Sequence, residues 1–302
     1  MPVSRTIFDP KLVTDLISKV KGKSSLAALG SQVPVAFNGN KEFIFSMDSD
    51  VDIVAEGGAK SHGGITLTPI TIIPIKFEYG ARISDEFMYA AEEEKIEILT
   101  QFNEGFAKKL ASGMDKAAFH GINPRTGKKA TNVTFPYFDN VITQKVTYVA
   151  DKADSNIESA IALVEGSDAD VTGIAIDNTM RSALAALTNS AGDKRYPEFA
   201  FGGQPSNLGA NALSINKTVS VTPTDTGTQD VDHAIVGDFA NMFKWGYGKE
   251  IFMDVIEYGD PDNTGVDLKG HNQVYLRAEA YLGWAIFDAA SFAKVNDTVT
   301  NS

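Results

Sequence analysis

The chain contains no cysteine, so disulfides, thiolate metal sites and a cysteine nucleophile are all excluded. Histidine is scarce: the four present, His62, His120, His233 and His271, fall at no metal-ligand spacing. Basic residues are in deficit, 27 Lys and Arg against 39 Asp and Glu, and the resulting net charge of −12 argues against nucleic-acid affinity over the whole surface. No apolar run approaches the ~20 residues that span a bilayer, so no membrane partner is expected. The opening "MPVSRTIFDPKLVTDLISKV" lacks a continuous apolar stretch, and no signal peptide is expected there. GxSxG, HExxH, P-loop and GxGxxG patterns are also missing. The sequence is a poor candidate for an enzyme, and neither cofactor nor metal is expected.

What is present is ordinary globular composition, 43% hydrophobic and 22% charged over 302 residues, enough for one large domain or two modest ones. Residues 9–21 read as a short amphipathic helix, with Asp9 as N-cap, Pro10 at the first helical position and Leu12, Val13, Leu16, Ile17 and Val20 on one stripe. Arg5, Lys11, Lys19, Lys21 and Lys23 give this arm a local positive balance against Asp9 and Asp15, which is most simply a solvated helix face.

Two stretches then alternate with period two. Phe43, Phe45, Met47, Val51, Ile53 and Ala55 fall on odd positions, and so do Ile65, Leu67, Ile73, Ile75, Phe77, Tyr79, Ala81 and Ile83. "EGGAKSHGG", 56–64, lies between them, so the pattern predicts a β-hairpin whose second arm runs for 19 residues. A two-stranded ribbon of that length is marginal alone in water and needs something to lie on, such as a neighbouring subunit.

A helix opening at Ser84 and closing at Gly121 follows, about 54 Å long. Glu92, Glu93, Glu94 and Glu97 precede Lys108, Lys109 and Lys116, a polarity that suits the helix dipole. Leu99, Phe102, Phe106, Leu110, Met114 and Ala117 form an apolar seam, short for a coiled coil and suited to lying across a sheet. Gly105 and Gly113 within it mark bends or close packing. "GINPRTGKKATN", 121–132, is a turn-rich loop.

The remainder is mixed. A helix is predicted over 156–165, a buried strand at "VTGIAI", and a helix capped by Asp177 running through Leu187. Residues 191–214 read as a long Gly/Pro-rich loop, and "HAIVGDFANMFKWGYGKEIFMDVIEY" as strand, short helix, turn and strand. "NQVYLRAEAYLGWAIFDAASFAKV", 272–295, reads as one long strand with Val274, Leu276, Ala278, Ala280, Leu282, Trp284 and Ile286 on its buried face.

Three stretches carry a chemical reading beside a plain one. Glu92–Glu94 point in different directions on a helix and read as a solvated acidic face rather than an acid/base pair. "WGYGKE" reads as a turn with packed rings before an aromatic ligand site. "DPDNTGVD", 260–267, spaces oxygen ligands like a calcium loop but lacks the closing bidentate Glu and the flanking helices.

The order of arm, hairpin, long helix, α/β insertion and returning strand resembles the major capsid proteins of tailed bacteriophages, the Hong Kong 97 type, over nearly the whole chain. "VDIVAEGGAKSHGGITLTPITIIPIKFEYGARISDEF", 51–87, is similar to that family's extended loop and the start of its spine helix. "MDKAAFHG", 114–121, resembles the end of that helix. "AIVGDFANMFKWGYGKEIFMDV", 234–255, and 272–295 resemble the family's later hairpin and closing strand.

The resemblance implies an α+β fold in parts: an N-terminal arm at 1–40, an extended loop at 41–83, a peripheral domain from 84–140 and 251–302 carrying the spine helix, and an axial domain at 141–250. It implies that Glu56, Gly57, Gly58, Lys60, Ile65 and Leu67 of the loop contact another subunit. It further implies hexamers and pentamers in an icosahedral virion shell, assembled in the host cytoplasm around double-stranded DNA. The expected partners are a portal protein, a separate scaffolding protein or none (the chain runs almost straight from Met1 into the arm), and decoration proteins. Lys11, Lys19, Lys21 and Lys23 would face the DNA for weak contact. Some members of that family weld subunits by a Lys–Asn bond assisted by a Glu. Asn272 and Glu279 fall near the positions of that Asn and Glu, and Lys60 lies in the hairpin tip, although an ordinary strand-face ion pair is the expected role of Glu279. The rivals are an encapsulin-like compartment of the same fold and a soluble α/β binding protein or enzyme with a decorative hairpin.

Overall fold

In the computed structural model, residues 18–89, 92–131, 133–225 and 227–301 are described. The predicted arm helix falls mostly outside them; its described end, 18–21, is helical.

Helix α1 (Ser25–Leu29) starts at Ser24, whose hydroxyl accepts the Ala27 N–H as an N-cap. The ribbon follows, with strands β1 (Ser31–Gln32), β2 (Asn40–Met47), β3 (Ile65–Ile72) and β4 (Ile75–Ser84). Here the structure corrects the sequence reading. The alternation over 65–83 is not one arm, because β3 pairs with β2 whereas β4 joins a different sheet. Ile73 and Pro74 separate them, and proline has no N–H to continue a ladder. Val51, Ile53 and Ala55 alternate without belonging to any strand.

The helix is shorter than predicted. A 3-10 segment, Asp85–Tyr89, comes first, with the Ser84 hydroxyl accepting the Glu86 N–H, and α2 spans Glu92–His120. Its 29 residues cover about 44 Å. The predicted seam is present: Phe106, Leu110, Met114 and Ala117 are buried in one cluster with Ala278, Ala280, Leu282 and Trp284, while Leu99 and Phe102 pack beside Val274 and Leu276. Gly113 is close-packed, with Pro124 only 3.2 Å from where a Cβ would sit, whereas Gly105 faces open space.

Next come α3 (Phe138–Val141), β5 (Lys145–Thr147), α4 (Ala153–Glu165), β6 (Gly173–Ile176) and α5 (Asn178–Ala186). Asp177 caps α5 as predicted, accepting the Met180 N–H at 2.7 Å. The predicted Gly/Pro-rich loop holds two strands, β7 (Asn207–Leu208) and β8 (Asn211–Ile215). Strand β9 (Gly227–Gly237) and helix α6 (Phe239–Met242) lead into β10 (Phe243–Ile256). "WGYGKE" is therefore no turn: β10 runs through it, and the misfit is absorbed by register shifts around Lys249. Strand β11 (Gln273–Ile286) ends earlier than predicted, because the Asp288 carboxylate accepts from the Ala290 N–H and the Ser291 hydroxyl and turns the chain. The last strand, β12 (Phe292–Asn301), belongs to another sheet.

The main sheets run β1-β10-β11-β4 and β5-β12-β9-β6-β8-β7, and the ribbon β2-β3 is a third, two-stranded unit. Helix α2 lies over the even face of β11, and all seven predicted positions there are buried. Residues 243–249 and 292–301 pair across the sequence-based boundary between 141–250 and the flanking segments.

Candidate functional site: an uncovered ribbon

Strands β2 and β3 pair so that Phe43 faces Pro69, Phe45 faces Leu67 and Met47 faces Ile65. Each pair is odd with odd, so all six side chains stand on one face, where direct cross-strand neighbours reinforce each other. That face is open: Phe43 is 61% exposed, Phe45 52%, Met47 68%, Ile65 62% and Leu67 58%. At the tip, Val51 and Ile53 are 94% and 98% exposed. Single exposed apolar residues are common, but a contiguous stripe of this kind marks a contact surface.

The root of the ribbon is firmly fixed. The Asn40 side chain accepts the Ala36 N–H at 2.8 Å and donates to the Pro34 carbonyl at 2.7 Å. Glu42 pairs with Lys244 at 2.6 Å, and Ile72 is fully buried beside Val35 and Ala285. At the far end the Gly64 N–H reaches the Asp48 carboxylate, and Gly57 adopts φ +78° inside a turn closed by Gly58 N–H to the Ala55 carbonyl. The predicted contact residues Glu56, Gly57, Gly58 and Lys60 all lie in this exposed tip, and Ile65 and Leu67 lie on the apolar face.

The three crosslink candidates are not brought together within one chain. Lys60 is in the tip, while Asn272 and Glu279 are separated by roughly 23 Å of extended strand. Asn272 sits in the left-handed region at φ +53°, and its carbonyl accepts the Asp85 N–H. Glu279 pairs with Lys76 at 2.7 Å and lies 3.4 Å from Arg277, holding β4 to β11. Of the arm lysines, Lys11 lies outside the described residues, Lys19 pairs with Glu104 at 3.0 Å, and Lys21 and Lys23 are exposed.

Two buried polar junctions escaped the sequence reading. Asp115 on α2, fully buried, accepts from the Ser24 and Thr218 hydroxyls and from the Ser25 and Leu26 N–H groups, so it clamps the start of α1 to the long helix. Burial raises its carboxyl above the ordinary aspartate value, against the pull of those donors. At the second junction the Lys294 ammonium, wholly shielded, reaches Asp139 at 2.8 Å and Asp232 at 3.2 Å. His120 there places Nδ1 2.9 Å from Asp139 and Nε2 3.0 Å from the Thr218 carbonyl. Both ring nitrogens face acceptors, which suits the imidazolium. Burial opposes that charge, but Asp139 outweighs it and raises the histidine's pKa. His120, Asp139 and Asp232 could in geometry share a cation, but Lys294 already supplies the positive charge among them. Likewise two carboxylates of the 260–267 loop turn onto Arg82, which binds Asp260, Asp262, the Thr264 hydroxyl and the Val266 carbonyl, while Asp267 accepts from the Gly259 and Gly270 N–H groups.

Among the described residues the core is packed and the apolar face of the ribbon is left open, the surface of a structural subunit. The chain belongs to the phage capsid family, which it matches over residues 7–297, and is a capsid shell protein. No curated protein matches it. Among solved structures it is similar to a chain of Mycobacterium phage Ogopogo, at 30% identity and a TM-score of 0.76, covering 91% of this chain and 92% of that one. A chain of Gordonia phage Cozz shares the fold at 22% identity and TM-score 0.73, covering 90% and 86%. So does the capsid of a native GTA particle, at 14% identity and TM-score 0.59, covering 98% and 93%.

Proposed function

We propose that this protein is the major capsid protein of a tailed phage, forming hexamers and pentamers of an icosahedral shell around double-stranded DNA. The uncovered ribbon carries the proposal. Phe43, Phe45, Met47, Ile65 and Leu67 form an open stripe that an adjacent subunit would cover, and burial contributes about 25 cal/mol per Å². In this reading β2-β3 and its tip, with Glu56, Gly57, Gly58 and Lys60, lie over an adjacent subunit. Such contacts, heterologous and repeated, close into rings and then a shell.

The ribbon is then the extended loop and α2 the spine helix. The sheet carrying β10 and β11 forms the peripheral domain, and the sheet carrying β9 and β12 belongs to the axial domain around the five- and six-fold axes. Portal, scaffolding and decoration proteins are the proposed partners, and the virion, assembled in the host cytoplasm, the proposed location. Glu279, paired with Lys76, serves as a strand-face ion pair rather than as part of a subunit weld.

Negative-stain microscopy and sizing of the expressed full-length protein test the proposal. Rings of five and six subunits or megadalton shells are expected. A stable monomer at high concentration would overturn it, and shells that package a protein cargo instead of DNA would point to a compartment. On denaturing gels of mature particles, monomer-sized bands alone are expected.

A further inference from the structure

A group of lysines lies where the described end of the arm meets the long helix. Lys109 and Lys116 stand seven residues apart on α2, almost two full turns, and so share a face. The Asn216 side chain donates to the Lys23 carbonyl at 3.1 Å and approaches Asp115 at 3.4 Å, which brings Lys23 and the neighbouring Lys217 to the same end of the helix. Lys21, Lys23, Lys109 and Lys217 are exposed and Lys116 is half-buried.

Among the described residues, no carboxylate forms an ion pair with any of these five; the arm's ion pair is Lys19 with Glu104, at its other end. Asp115 itself is buried and committed to its own donors. Burial, then the positive fields of Lys109 and Lys217, hold the Lys116 ammonium below the ordinary lysine value, so the like charges are felt. In a chain with net charge −12, leaving five lysines together without counter-charge is an unfavourable arrangement that an external polyanion would relieve.

Resting on the shell reading above, we infer that Lys21, Lys23, Lys109, Lys116 and Lys217 form a phosphate-contacting patch that meets the packaged double-stranded DNA. The composition argues for DNA over an acidic protein. No large apolar side chain is exposed among described residues 18–24, 99–120 or 214–221, so the surface lacks the anchors that protein interfaces use. The patch holds lysines without arginine, point charges that hold phosphate without the bidentate fork, and gives contact that is sequence-independent and weakened by salt. A surface of that kind holds a duplex loosely enough for it to pass in and out.

The test uses full-length protein kept as unassembled capsomers and a linear DNA duplex, with affinity followed by fluorescence anisotropy across a salt series. Lys116→Gln/Lys217→Gln is compared with Lys152→Gln/Lys194→Gln, two exposed lysines on other elements. The patch variant is expected to lower the log–log salt slope by about 1.8, at about 0.9 for each phosphate no longer neutralised, with the control unchanged. An unchanged slope, or an equal fall in the control, would overturn the inference. Normal DNA binding with failed shell formation would also overturn it, by assigning the patch to a protein partner. If wild-type protein makes no shells at all, it is the shell reading that fails, independently of the slope.

Discussion

Lys294 Nζ stands 2.8 Å from Asp139 Oδ1, and no part of the lysine side chain meets water. The pair ties β12 to α3, and His120 and Asp232 bring in the end of α2 and strand β9. Removing the lysine takes its ammonium from the partly buried Asp139 carboxylate and from the fully buried Asp232. Lys294→Met is therefore expected to cost about 3–5 kcal/mol in urea unfolding of the subunit. A loss below 1 kcal/mol would show that the junction contributes little.

The same junction sets a pH dependence. Burial first, then the neighbouring Asp139 charge, push the Asp232 carboxyl up to about 8, so the folded state binds a proton that the unfolded state has released above about 4. Stability from this group is full below pH 4 and is lost as pH rises towards 8. His120, also raised, loses its contribution in the same direction as pH climbs above its ordinary value. Asp139 works oppositely. Burial pushes it up, but the His120 hydrogen bond and charge outweigh that and hold it below the ordinary range, so its contribution is lost as pH falls below 4. Melting temperature should fall from pH 5 to pH 8, and Asp232→Asn, which mimics the neutral acid, should flatten that fall. An equally steep profile in the variant would show that Asp232 does not titrate there.

Asp115 makes a separate prediction about the arm. Its oxygens satisfy the Ser25 and Leu26 N–H groups, two of the orphan donors at the start of α1. Asp115→Ala leaves those donors and two hydroxyls without the carboxylate, at an expected cost of about 2–3 kcal/mol. Hydrogen exchange at Ser25 and Leu26 should accelerate well beyond the change seen in β11.

Gly105 offers the opposite sign. It lies in the interior of α2, is exposed, and has no atom within 4 Å of a built Cβ. Gly105→Ala should stabilise the helix by about 1 kcal/mol, read as a rise in melting temperature. A neutral or negative result would mean that another subunit approaches the helix there.

These elements also show what the residues alone could reveal. The α2 seam and the buried face of β11 were legible because each needs only its own period, 3.6 or two, against one apolar surface. Strand partnership was not legible. The odd-position alternation passes through Ile73 without a change of phase, yet the chain exchanges β2 for β11 as its neighbour. Pro74, with no N–H to give, was the available signal. Asp288 similarly ends β11 through side-chain acceptance that periodicity does not record. Lys294, Asp139, Asp232 and His120 come from four separate elements, and only the assembled topology joins them. The ribbon tip was read as a Gly-rich connector, and the structure leaves it exposed, but Val51 and Ile53 were read as strand because alternation without a ladder looks the same on paper.

The ribbon carries the prediction with most at stake. Its apolar face adds little to the stability of one chain, since Phe45 and Leu67 already meet water over more than half their surface. Replacing them with serine should therefore leave the urea midpoint of the isolated subunit nearly unchanged, within about 0.5 kcal/mol. Assembly is another matter, because every subunit of a shell would be weakened at the same place and the deficits multiply around a ring. Phe45→Ser/Leu67→Ser should raise the concentration needed for shells, seen by light scattering, by an order of magnitude or more. That is the expected effect of weakening each subunit junction by about 1.4 kcal/mol. Serine substitutions at Ile44 and Ile70, on the opposite face of the ribbon, provide the comparison. If they impair assembly equally, the odd face is not the contacting one; if neither pair does, the ribbon is not what joins the subunits.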